Sequence, residues 1–156
     1  MKSRTMFLAL GVAAGVLLAP SAIACNVQPP GSAAEVAAKV SAQQAEMWDN
    51  ADLVFVARVE QSRTKTVVGV PHAVQVDMMP LTWLKGQGGP WQFELGYTGE
   101  SSCGPEPHFD AIAGKPGDTF IVFSQGDTPG QDTVMFTVQS DALVEPRALA
   151  ALKVQD

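Results

Sequence analysis

Leu53-Val54-Phe55-Val56-Ala57-Arg58-Val59 is the clearest strand in the chain. It has no helical spacing. Leu53, Phe55, Ala57 and Val59 fall on one face of an extended chain, and Val54 and Val56 on the other. A strand that is apolar on both sides at its start belongs inside a sheet that is covered on both faces. The chain outside this strand must therefore supply the sheet and its cover.

Downstream, Gln61 to Thr66 reads as a polar turn region. His72 to Met78 alternates Ala73, Gln75 and Asp77 with Val74, Val76 and Met78, the pattern of a half-buried strand. Pro80 ends or bends it, because proline removes a ladder donor. Trp83-Leu84-Lys85-Gly86 follows, then a glycine-rich turn, then a third strand over Trp91–Tyr97 with Trp91, Phe93 and Leu95 together. Residues 98–117 are irregular. Phe120-Ile121-Val122-Phe123 is a short apolar run suited to a fourth strand. Thr133–Val138 gives a fifth, with Val134, Phe136 and Val138 on one face. Helices flank the strands. Ser32 and Glu35 have capping-box spacing, and Ala33 to Trp48 is rich in helix formers with a thin stripe of Val36, Ala37, Val40, Gln44, Met47 and Trp48. Pro146 suits a first helical turn, so Arg147–Val154 reads as a short second helix with Leu149 and Leu152 inward. Five short strands and two helices predict a small, mostly β barrel or sandwich.

The N-terminus reads as an address. Lys2 and Arg4 precede an apolar stretch from Met6 to Leu18 that is short for a membrane span, and Ala22-Ile23-Ala24 ends in a small-residue cleavage pattern. The expected organisation is a signal peptide over 1–24 and one exported domain over 25–156, periplasmic or extracellular. Removing the signal takes away two basic residues and no acid. That leaves eight basic and sixteen acidic residues, a net charge of −8. Such a chain is a poor partner for a phosphate backbone, so nucleic acid is excluded as an expected ligand.

The chemistry-bearing residues are few. Cys25 and Cys103 are the two cysteines, and an oxidising compartment allows them one bridge. Closing so long a loop would stabilise the fold by about 4.5 kcal/mol on chain entropy. Cys25 could instead carry lipid, making the protein a membrane-anchored lipoprotein. Ala22 stands where a lipobox usually has leucine, and lipidation would leave Cys103 unpaired. Cys103, His108 and Asp110 are metal-capable, and Cys103 with His108 could make a nucleophile and base. Only two histidines, His72 and His108, are present, and an oxidised Cys103 could do neither job. Glu106, Asp110 and Asp118 sit among turn residues, as solvated loop acids do. Met78-Met79 fits packing better than copper ligation. Trp48, Trp83 and Trp91 could line a binding face, but core filling is the commoner use of such residues. No cofactor is expected, and the reading is that of a non-enzymatic protein.

Several of these stretches, taken in order, resemble the bacterial netrin-like domains similar to tissue inhibitors of metalloproteinases. A signal peptide ends directly at Cys25. Ala51 to Val59 looks like that family's first barrel strand. Trp83-Leu84-Lys85-Gly86 resembles its Trp-Lys-Gly signature with one residue inserted. Ser102-Cys103-Gly104, followed by Gly117-Asp118-Thr119-Phe120-Ile121-Val122-Phe123, resembles its Cys-Gly and Gly-x-x-Tyr-Leu-Val pattern. The resemblance implies a five-stranded OB-fold Greek-key barrel in which Cys25 pairs with Cys103. It implies a protein-binding role with an unidentified protein partner. In the inhibitors of that family the N-terminal cysteine's amine and carbonyl chelate a protease zinc and the next side chain enters the specificity pocket, positions held here by Cys25 and Asn26. The chain departs from the pattern by lacking a Cys-x-Cys opening and a second cysteine pair. Two other readings follow: a metalloproteinase inhibitor acting through Cys25, or a metal-handling protein or enzyme using Cys103 and His108.

Overall fold

A computed structural model of the chain describes residues 31–67, 70–89, 91–96, 100–101, 104–105 and 109–154. The elements run α1 (Ala33–Asn50), β1 (Leu53–Val67), β2 (Val70–Lys85), β3 (Phe93–Gly96), β4 (Glu100–Ser101), β5 (Gly104–Pro105), β6 (Thr119–Ser124), β7 (Val134–Gln139) and α2 (Pro146–Lys153). Short 3₁₀ turns cover Asp110–Ala113 and Ser140–Ala142. The fold is mostly β. Five strands form one antiparallel sheet in the order β3-β2-β1-β6-β7, and β4 and β5 form a separate two-residue ladder.

The two-sided apolar reading of β1 holds. Leu53, Phe55, Ala57 and Val59 enter one core layer with Val76, Met78, Phe93, Leu95, Phe120, Val122 and Val134. Val54 enters a second layer with Ile121, Phe123 and Val138, covered by Met47 and Trp48 of α1 and by Ala148 and Leu152 of α2. Each central strand therefore divides its side chains between an inner face and a helix-covered face, as period-two alternation requires.

The strand boundaries differ from the expectation for identifiable reasons. Gln61–Thr66 is strand, not turn. It pairs with β2 (Arg63↔Gln75, Lys65↔Ala73) beyond the end of β6 pairing at Arg58↔Thr119. Past the β6 ladder this part of β1 is a sheet edge, with β2 and then β3 on its other side (Gln75↔Gly96, Asp77↔Glu94), and its polar side chains Gln61, Ser62, Arg63 and Thr64 are exposed. Pro80 does not end β2 but sits beside a bulge in it. The register passes from Val56↔Thr82 to Ala57↔Pro80, leaving Leu81 as an extra residue, and β3 pairing stops at Met78↔Phe93. A bulge beyond the neighbouring strand is where a strand tolerates proline. β3 is shorter than expected, and Trp91 stands outside it, 66% exposed. In β7 the shift from Phe123↔Phe136 to Ser124↔Val134 sends Val134 to the first layer, while Phe136 and Val138 face the second. In α2 the inward residues are Ala148 and Leu152, one turn apart, and Leu149 faces out.

Between the outer strands β3 and β7 there is no ladder among the described residues, so the sheet is open there. Side chains cross the gap. Gln131 Oε1 accepts from Gly96 N at 2.7 Å, and Gln131 Nε2 donates to Gly96 O at 3.4 Å. The first 3₁₀ turn lies further along. Ala111 N donates to the buried Thr137 Oγ1 at 3.0 Å, and Phe109, Ala111 and Ile112 fill the inner layer.

Candidate functional site

Most sequence-predicted site residues lie outside the described residues: Cys25, Asn26, Cys103, Glu106 and His108. The backbone of His72 belongs to β2, and its side chain is outside the description. The neighbours of Cys103 are placed. Ser101 pairs with Gly104, and Glu100 with Pro105. Met78 is fully buried in the inner layer, which gives it a packing role. Among the described residues no group of three or more His, Cys, Asp or Glu is placed to hold a metal ion, and no helix is long and apolar enough to cross a membrane.

Two predicted acids, Asp110 and Asp118, meet at one end of the sheet. One hollow of about 330 Å³ is lined by Phe109, Asp110, Asp118, Phe120 and Gln139 together with Ala113 and Gly114. A second, also about 330 Å³, shares Asp118 and Gln139 and adds Thr119, Ser140 and Asp141. Local backbone chemistry builds this end. Asp118 Oδ2 accepts from Lys115 N at 2.8 Å, and Asp118 N donates to Lys115 O at 2.9 Å, closing a turn. Asp118 O and Gly117 N then pair with Val59 N and O at 2.9 and 2.8 Å, so the turn docks on β1 where β6 pairing stops. Gly117 has φ of +99°, a conformation that glycine adopts without cost. Gly114 is needed for space, since a Cβ there would lie 2.8 Å from the Phe120 ring. Ser140 Oγ is buried beside the second hollow with no hydrogen-bond partner among the described residues. The lining offers carboxylates and an amide over a phenylalanine floor. It can accept hydrogen bonds from a partner's cationic or amide groups, and it holds no nucleophile paired with a base.

The Trp83-Leu84-Lys85-Gly86 stretch has a structural job that its sequence did not disclose. The Trp83 ring packs on Phe55 at 4.5 Å in the inner layer, while Leu84 packs on the helix-covered face. Lys85 Nζ donates to Trp48 O at 2.7 Å and to Ala51 O at 2.6 Å. Those carbonyls end α1, whose last turn carries no basic residue of its own. A strand lysine thus supplies the cation a helix C-terminus favours. Gly86 has φ of +72°, and a Cβ there would meet Asp52 O at 2.6 Å. The motif fastens α1 to the sheet.

A second fastening joins the helices. Buried Gln44 donates to Ala142 O at 3.0 Å, and its Oε1 accepts from Val144 N at 2.8 Å and Glu145 N at 3.1 Å. Glu145 caps α2 and bonds Arg147 Nε at 2.5 Å, and Arg147 also pairs with Asp49. The Arg147 guanidinium holds the Glu145 carboxyl below its ordinary pKa against the opposing cost of burial, and Arg147 is itself held more firmly protonated by Glu145 and Asp49. The Trp48 ring has Lys85 Nζ 5.7 Å and Arg147 Cζ 5.5 Å from its centroid. Trp48 and Trp83 are therefore packed residues, and Trp91 alone of the three stands out in solvent.

No family model matches the chain, and no curated protein matches it either.

Proposed function

We propose that residues 25–156 form an exported, non-enzymatic protein-binding module of the netrin-like type, with an OB-fold barrel pinned by a Cys25–Cys103 disulfide. The observation that carries the fold reading is the strand order. β1, β2 and β3 follow one another across the sheet, and β6 returns to lie on the far side of β1. That order is a Greek key. β7 continues beyond β6, so the two outer strands are the pair a five-stranded partly open barrel brings together. The Gln131 amide in the loop before β7, bonded to Gly96 at the end of β3, and the 3₁₀ turn, bonded to Thr137 of β7, support closure along that seam.

The binding role rests on the family resemblance and on the hollows around Asp118, which offer acceptors to a basic partner surface. The first experiment is the intact mass of the exported protein, with and without reductant and alkylation. A mass beginning at Cys25 and lighter by the hydrogens lost on oxidation supports export, the free N-terminus and the bridge together. A lipid-bearing mass, or two alkylatable thiols without reductant, overturns the pinned module. Photo-cross-linking from positions 110 and 141 in the exporting cell then tests the role. A discrete protein adduct supports it, and adducts at neither position overturn binding at this end of the sheet.

A further inference from the structure

We draw no further inference here: the strongest candidate, the apolar stripe of Val36 and Val40 on the outer turns of α1, continues the packed face of that helix beyond Gln44 into solvent, and nothing in the structure shows what covers it.

Discussion

Gln44→Leu tests whether one buried amide holds the two helices together. The side chain is 1% exposed and serves three backbone groups at once, Ala142 O, Val144 N and Glu145 N. Leucine keeps nearly the same volume and removes all three bonds. The three stranded groups are not equal. Glu145 is 2% exposed, so its N–H finds no water, whereas Val144 is 44% exposed and Ala142 lies at the surface, so their groups rehydrate in part. One full desolvation penalty of about 1–3 kcal/mol and two smaller losses of about 0.5–1 kcal/mol give a destabilisation of about 2–5 kcal/mol. Leucine's extra apolar burial offsets about 1 kcal/mol of this. With a urea slope of about 1.5 kcal/mol per molar, the net loss lowers the unfolding midpoint by about 0.7–2.7 M. The control is Gln43→Leu, the same chemical change on the exposed neighbour, which shifts stability by less than about 0.5 kcal/mol. Hydrogen exchange at the Glu145 amide accelerates in the Gln44 variant alone. Equal midpoints for the two variants would refute the claim that Gln44 supports the approach to α2.

Other expectations follow from the same network and from the open seam. Lys85→Met removes two charge-assisted bonds to the end of α1 and lowers stability by about 1.5–3 kcal/mol in thermal or urea unfolding; an unchanged midpoint would make the motif lysine irrelevant to the fold. Gly86→Ala places a Cβ against Asp52 O at positive φ and costs at least about 1 kcal/mol by the same assay. The Glu145 carboxyl has a folded pKa below its unfolded value, with Arg147 the first cause. Its contribution is fully present above about pH 4.5 and is lost as the pH falls through the lower, folded value. Arg147→Met therefore destabilises most at neutral pH, and its difference from the natural chain narrows in acid; a constant difference down to pH 2.5 would contradict this assignment. Gln131→Ala releases the Gly96 amide, so hydrogen exchange there rises while amides in β1 and β6 keep their protection.

Features that depend on near neighbours along the chain are legible in the residue order. The alternation in Leu53–Val59 placed β1 between two apolar layers, and Val54 and Phe55 occupy them as read. The Ser32–Glu35 box opens α1, with Ser32 N donating to Glu35 Oε2 at 2.7 Å. Both signals are local, set by the two-residue period of a strand and the reach of a side chain across one helical turn. Gln44 was visible on the right stripe, but its partners lie about a hundred residues away, and polarity alone does not say what a buried amide will bond. The rest depends on contacts between distant parts of the chain. Bulges at Leu81 and Met135 reset which face each side chain takes, because one extra residue reverses a period of two. Phe109, Ala111 and Ile112 fill the inner layer from a stretch with no periodicity at all. Lys85 caps a helix to which it does not belong, because the open carbonyls at a helix end take a donor from whichever chain passes beside them.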